Sequence, residues 1–465
     1  MPDSGKDERE SGGKRWQIEG LPILNPRVAA SDLGSEEHWV CAPTIDGTAR
    51  EVACFGAATP ELFRMREWLK ERKVESVAME STGVYWIAPY EVMEAGGIEP
   101  LLIDNRQLAS VPGRNKKSDP TDCEWMQRLH SCGLLKGSFR PKEEVCMLRT
   151  LVRDQANLVA ETGDWLRRMQ KSLDQMNVRV HRAVSDLDGA TGMAILRAIV
   201  KGERDPRKLA QLRDRRCKKS EKEIAEQLSG HWREDHLFSL SQALKMYDAL
   251  QERIVEYDQE IMRRLASMER PECQGKEAPP VGNREKAKQM ERRGEEPLRQ
   301  ALYRMSGADL TSIDALGVGT VKLVVSEYGS DLSRFPSEHE FVSHVTLAPH
   351  RPTSGGKPVK KRKKGSASSR VAAGLRMAAL SLRHTNTALG AYYRQIARRK
   401  SADVAVFATA RKLATFIYRL LRWGKPYVDE GAEAYEKRHQ QARLNHLNAT
   451  ARDLGYQLTP IPSKA

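Results

Sequence analysis

The sequence predicts an α/β plus α chain: a mixed sheet with helices first, then a mainly helical remainder. Three observations carry this expectation. Between Arg27 and Asp104, short apolar runs and helical stretches follow the order β-β-β-α-β-α-β, the pattern of a sheet that buries its faces under helices. From Val159 to Ile261, apolar residues recur at the three-four spacing of long packed helices. After residue 298 helical patterns return, studded with Arg and Lys.

Residues 1–26 are polar and Gly-rich, and disorder is expected there. Arg27-Val-Ala-Ala-Ser-Asp32 then reads as a short buried strand ending on an acid. Segments 38–43 and 50–55 read as two further strands, with Asp46-Gly47 as the hairpin turn between them. A helix is expected over 59–73, with Pro60 in its first turn. Segment 74–80 is another strand closing on an acid, Glu80; 83–94 is a helix and 98–104 a last strand. In Ser118-Asp119-Pro120-Thr121-Asp122, Ser118 or Asp119 caps a helix that Pro120 starts and that runs to His130. Asp119 and Asp122 stand three residues apart and share one face of it.

Two long helices follow. Val159, Leu166, Met169, Leu173 and Met176 mark the first. Leu240, Ala243, Tyr247, Leu250, Ile254, Tyr257 and Ile261 mark the second, and the pair suits coiled-coil packing. Residues 183–235 between them are charged with some helix, fitting either a helical spacer or a dimerisation element. Residues 271–298 hold almost no large apolar side chain and read as a charged linker. Segment 310–329 reads as two short helices about a Leu-Gly-Val-Gly turn. Such a helix-hairpin-helix can grip a phosphate through the amides at Gly317 and Gly319; a plain two-helix packing element is the alternative.

Ser354 follows, between a Pro-containing turn and the pair Gly355-Gly356. Glycine lets a backbone approach a bulky substrate closely. Lys357, Lys360, Lys361, Arg362, Lys363 and Lys364 come next, then Arg370 and Arg376 on a helical pattern. Those cations suit a phosphate backbone; a surface loop with a basic tail is the bland alternative.

The whole chain narrows the classes. Its 465 residues exceed one ordinary core. With 77 Lys plus Arg against 62 Asp plus Glu, the formal charge is +15, which favours an anionic partner such as nucleic acid. No run of eighteen apolar residues offers a membrane span, and the charged N-terminus lacks a secretory pattern. Seven scattered cysteines without a CxxC pair argue against structural zinc and disulfides, and for a cytoplasmic setting.

Asp32, Glu80, Asp119 and Asp122 stand at predicted strand ends and one helix start. Were they to converge, each pair of charges 4 Å apart would repel by about 4 kcal/mol at an effective dielectric near 20. Divalent cations relieve that repulsion, and an oxygen-only ligand set fits Mg²⁺ or Mn²⁺. Two such ions can bind both the attacking and leaving oxygens of a phosphodiester.

Here ASDLG, AMESTGVYW and KKSDPTDCEW resemble the DEDD motifs of the insertion sequence 110 family of transposases. IDALGVGT, FPSEHEFVSHVTLAPH and the Ser-Gly-Gly site resemble that family's C-terminal domain. The resemblance spans about 28–140 and 299–425. It implies a ribonuclease H-like, RuvC-like domain with Asp32, Glu80, Asp119 and Asp122 as metal ligands, and a nucleophilic serine at Ser354. It also implies recombination of double-stranded DNA guided by a structured bridge RNA, by a homo-oligomer (dimer or tetramer) in the bacterial cytoplasm at the nucleoid. One departure stands at Asp314-Ala315, where the family commonly carries Pro-Gly.

The resulting partition is a disordered 1–26, a RuvC-like catalytic domain 27–140 and a helical coiled-coil domain 141–270. The linker 271–298, a C-terminal transposase domain 299–428 and a helical tail 429–465 complete it. Two rivals remain. A RuvC-like junction endonuclease would use water and form no covalent intermediate. An RNA-binding architectural protein would use the basic residues and no metal.

Overall fold

The structure, a computed structural model, describes residues 21–81, 83–110, 119–349, 353–354, 357–358 and 369–459. The chain forms two compact units, one ending at Arg140 and the other starting at Pro141.

In the first unit, alternation of small apolar residues builds a sheet buried on both faces. Its elements are β1 (Val28–Leu33), β2 (Glu37–Pro43), β3 (Arg50–Gly56), α1 (Thr59–Glu71), β4 (Ser76–Glu80), α2 (Ile87–Ala95), β5 (Glu99–Ile103), α3 (Asn105–Ser110) and α4 (Asp119–Ser131). The strands lie in the order β3-β2-β1-β4-β5. The first three pair antiparallel, while β1–β4 and β4–β5 pair parallel. Ala29, Val77 and Met79 point to one face, where Leu62, Met65 and Leu69 of α1 and Tyr90 and Met93 of α2 cover them. Ala30, Ala78 and Ile103 point to the other, under Leu108 of α3 and Met126 and Leu129 of α4. The expected order of elements along the chain is found. The helix expected from residue 83 starts later, at Ile87, because 83–86 form turns with Gly83 at φ +62°.

The second unit is helical. It opens with α5 (Glu143–Gln175), α6 (Val180–Ala183), α7 (Ala190–Val200), α8 (Pro206–Ala210), α9 (Glu221–Leu228) and α10 (Glu234–Ser267). The long helices α5 and α10 pack along each other. Met169, Leu173 and Met176 are buried with Leu240, Ala243 and Tyr247 at one end of the pair. Val159, expected in the seam, is instead 51% exposed. Polar groups occupy the middle of the pair: Gln155 donates to Asp258 Oδ1 at 2.6 Å, and Lys322 donates to Gln155 Oε1 at 2.6 Å.

The charged stretch 183–235 forms a helical lobe with its own apolar centre. Ile195, Leu196 and Ile199 of α7 meet Leu209 of α8 and Ile224 and Leu228 of α9, all fully buried against α5 and α10. Ser220 caps α9 in a reciprocal capping box with Glu223.

The rest of the unit comprises α11 (Arg284–Arg293), α12 (Glu296–Ser306), α13 (Val318–Tyr328), α14 (Glu338–His344), β6 (Thr353–Ser354), β7 (Lys357–Pro358), α15 (Arg370–Ser381), α16 (Ala388–Arg399), α17 (Ala402–Trp423) and α18 (Gly431–Asp453). The charged 271–298 stretch thus carries a helix, and Cys273, Ala278 and Met290 are buried within it. Arg149 and Arg153 of α5 pair with Glu327 of α13, Arg153 through two bonds of 2.8 and 2.7 Å. Beneath α14, Tyr328, Phe335, Phe341 and Tyr418 form an aromatic cluster, and the Tyr418 hydroxyl donates to Phe335 O at 2.7 Å. The terminal helix α18 buries none of its residues. Among the described residues, no helix is long and apolar enough to cross a membrane, and all seven cysteines are free.

Ile199→Ala should lower the stability of the chain by about 2–5 kcal/mol, the range for a buried large-to-small change. A thermal melt that moves by no more than a surface substitution would show that 183–235 is a solvated spacer.

Candidate active site

The first unit brings two of the expected acids side by side by register alone. Ser31 on β1 pairs with Met79 on β4, the last paired positions recorded for these parallel strands. Asp32 and Glu80 follow one step later, at the carboxyl ends of adjacent strands. Alternation puts both on the face of Ala30 and Ala78, the face α4 covers. Crevices at the carboxyl ends of parallel strands are where open α/β sheets bind ligands.

Helix α4 runs antiparallel to β1. Its C-terminal end is pinned at the start of the sheet, where Gln127 Nε2 donates to Val28 O at 3.0 Å and His130 Nδ1 meets Ala29 O at 3.1 Å. Its N-terminal end therefore reaches the acidic end. Asp122 lies four residues before Met126, on the sheet-facing stripe. The fully buried Cys123 beside it feels the Asp32 charge: burial first, then Cys41, Glu124 and Asp32, push its thiol up. The same burial pushes Cys41, on β2 beneath α4, up to about 12. Both thiols are thus kept as thiols. The positive end of the α4 dipole also favours carboxylates at this place.

Asp119 opens α4, but its side chain lies outside the described residues. Among the described residues, no group of three or more His, Cys, Asp or Glu is gathered ready to hold a metal. The available donors, Asp32, Glu80 and Asp122, are oxygen ligands and suit a hard divalent cation.

Sequence reasoning missed one polar neighbour. Asn105 Nδ2 donates to Glu80 Oε1 at 2.5 Å, so the first residue of α3 orients a candidate ligand. The signal was present in IEPLLIDN: β5 ends beside β4, with Glu80 opposite Ile103, so the next residues Asp104 and Asn105 fall at the same sheet end.

In the second unit, Ser354 closes β6 and pairs with Lys357 of β7 in a two-stranded hairpin. Gly355 and Gly356 at its turn, and Lys360, Lys361, Arg362, Lys363 and Lys364 beyond it, lie outside the described residues. Arg370, the first residue of α15, is exposed, and the Arg376 guanidinium stands 5.2 Å from the Phe407 ring centre.

The expected helix-hairpin-helix needs one correction. Its first helix is only a single 3-10 turn, Leu310–Ser312. Asp309 caps that turn and is itself drawn to the buried Arg299 by a 2.5 Å ion pair, which fixes a short bend. The second helix is α13, with Gly317 at its N-cap. A Cβ at Gly317 or Gly319 would meet nothing within 4 Å, and neither has positive φ. Among the described residues, packing therefore does not demand glycine there. Ala315 takes φ +66°, the left-handed conformation that a glycine adopts without strain.

A family model for a transposase of the IS110 DEDD type matches residues 29–178. A second, described as "Transposase IS116/IS110/IS902 family", matches residues 307–394. The first spans Asp32, Glu80, Asp119 and Asp122; the second spans Gly317, Gly319, Ser354 and Arg376. No curated protein matches the chain.

Asn105→Ala should lower the affinity of the acid cluster for Mn²⁺ by about 10-fold or more, as losses of outer-sphere partners generally do. Manganese titration followed by electron paramagnetic resonance would read it. Unchanged affinity would remove Glu80 from the ligand set.

Proposed function

Because the chain belongs to the IS110 family of transposases, we propose that it cuts and rejoins DNA through a covalent phosphoserine intermediate on Ser354. Asp32, Glu80, Asp119 and Asp122 hold Mg²⁺ or Mn²⁺ for that reaction, and a structured guide RNA selects the DNA. The enzyme is a DNA transposase. The observation that carries the finer reading is the register of β1 on β4, which sets Asp32 beside Glu80 on the face that α4 covers.

A bound divalent ion supplies Lewis-acid polarisation of the scissile phosphate. Everything else falls to the chain. Ser354 Oγ gives up its proton and attacks phosphorus, forming an Oγ–P bond while the P–O3′ bond breaks. The departing 3′ oxygen takes up a proton and leaves as a hydroxyl. After strands exchange, another 3′-hydroxyl attacks the phosphoserine and returns the serine. The phosphoester is conserved at each step, so no nucleotide hydrolysis is required. Lys357, the 360–364 cations, Arg370 and Arg376 hold DNA and RNA backbones without reading sequence. The formal charge of +15 supports so large an anionic load, and the notched amides at Gly317 and Gly319 supply one phosphate grip. The chain works as a homo-oligomer, with α5 and α10 as a coiled-coil arm.

Changing Asp32, Glu80, Asp119 or Asp122 to Ala should abolish strand cleavage and leave DNA affinity nearly intact. Ser354→Ala should behave alike, because one hydroxyl adds little to an electrostatic interface. Cleavage by any acid variant at the wild-type rate would take that acid out of the site. Cleavage by Ser354→Ala would pass the reaction to water and to the endonuclease reading. EDTA should stop the wild-type enzyme, and added Mg²⁺ or Mn²⁺ should restore it.

Neutralising Lys360, Lys361, Arg362, Lys363 and Lys364 together should flatten the slope of log K against log salt. Each lost phosphate contact removes roughly 0.7–0.9 from it. An unchanged slope would mean that this run touches no backbone.

A further inference from the structure

Just past the candidate ligand Glu80, the chain presents three large apolar side chains to solvent: Val84 is 68%, Tyr85 48% and Ile87 39% exposed. The turn that carries them is held at both ends. Ser81 N donates to Ile103 O at 3.0 Å, which carries the β4–β5 ladder past Glu80, and Ile87 N donates to Val84 O at 3.2 Å where α2 begins. Gly83 takes φ +62°, and a Cβ there would meet the Tyr85 ring at 3.5 Å, so the ring leans on the turn itself. Trp86, the next residue, does the packing. It lies against the core under α1 and α2, stands edge-on to Tyr90 at 5.9 Å, and has the Arg140 guanidinium 5.4 Å from its ring centre.

Packing thus explains Trp86 but leaves Val84 and Tyr85 facing water at the carboxyl end of β4, the end that bears the acids. Neither side chain is charged, so this step offers a phosphate nothing. A nucleobase has a flat apolar face instead, and an aromatic ring stacks on any of the four bases. Reach fits as well. From Glu80 to Tyr85 the chain spans at most roughly 18 Å when fully extended, and the turn shortens that. A DNA strand advances about 3.4 Å per nucleotide. A strand whose phosphodiester lies on the acids therefore brings a base to Tyr85 within about five nucleotides of the cut.

We infer that Tyr85, backed by Val84, is a substrate-binding residue of the active site: its ring stacks on a nucleobase of the strand being cut, within about five nucleotides of the phosphodiester held by the acids. A base taken onto the ring fixes the backbone beside the cut in one register. The inference rests on the transposase reading and deepens it, by giving the acid site a contact to bases as well as to phosphates.

The test uses the full chain and a DNA strand that the wild-type enzyme cuts, with 5-iodouracil placed at one position at a time within about five nucleotides of the cut. Ultraviolet light should link one of these bases to Tyr85, read by peptide mass spectrometry. Tyr85→Ala should weaken binding about fivefold or more, the lower end of what a lost base–aromatic stack costs. Its salt slope should match that of wild type, because no phosphate contact is lost. Tyr85→Phe should bind within about twofold of wild type, since the ring and not the hydroxyl makes the stack. An abasic sugar at the linked position should weaken wild type as much as Tyr85→Ala does and leave that variant unmoved. No link to Tyr85, or unchanged affinity in Tyr85→Ala, would overturn the inference. So would a Tyr85→Ala loss of equal size on intact and abasic strands, the mark of a structural change or of a contact between copies of the chain. Asp32→Ala separates the two levels. If it still cuts, the acid site itself is wrong and the inference falls with it. If it does not cut and Tyr85→Ala binds as wild type does, only the stacking role is wrong.

Discussion

Parallel pairing of β1 with β4 is the constraint on which the first unit depends. Two alanines, Ala30 and Ala78, face each other across that pair, and their small side chains let α4 lie close on the sheet. The same register carries Asp32 and Glu80 to adjacent strand ends, where like charges would push the strands apart unless something met them. Two features of the fold moderate that repulsion: the N-terminal end of α4 lies at this end of the sheet, and Asn105 donates to Glu80. Chemistry and packing thus share one register, and a one-residue slip would turn the acids to the opposite face.

In the second unit the corresponding fixed point is α13. Its far end is tied to α5 through Glu327 with Arg149 and Arg153, and its middle through Lys322 and Gln155. At its N-terminal end Val318 is buried and Gly319 exposed. Arg299, buried against Asp309, Glu296, Thr311 and the carbonyl of Pro279, sets the bend leading there.

Much of the first unit was legible because its signals are local. Strand β4 ends on Glu80 as expected and β1 runs one residue past Asp32, Asp46-Gly47 forms the hairpin turn with Gly47 at φ +72°, and Pro120 sits in the first turn of α4. Asn105 escaped notice because its value comes from β4–β5 pairing, which brings residues 25 apart together. The helical lobe at 183–235 escaped for another reason: Ile195, Leu196, Ile199, Leu209, Ile224 and Leu228 are diluted by Lys, Arg and Glu over three short helices, so no single window shows a period. The heptad reading of α5 failed at Val159 because spacing cannot tell which face of a long helix the partner covers; there the contact is made by polar Gln155. Likewise, the apolar pattern of 310–316 fits a helix, but left-handed Ala315 keeps it from continuing past one turn.

In the proposed reaction a serine, and not water, attacks the phosphodiester. Trapping the reaction on a nicked duplex with the cognate RNA and mapping protein-linked DNA by peptide mass spectrometry tests it most directly. Attack by Ser354 leaves a protease-sensitive adduct whose nucleotide sits on the peptide bearing that serine. Cleaved DNA that carries free 5′-phosphate ends and no linked peptide would contradict it.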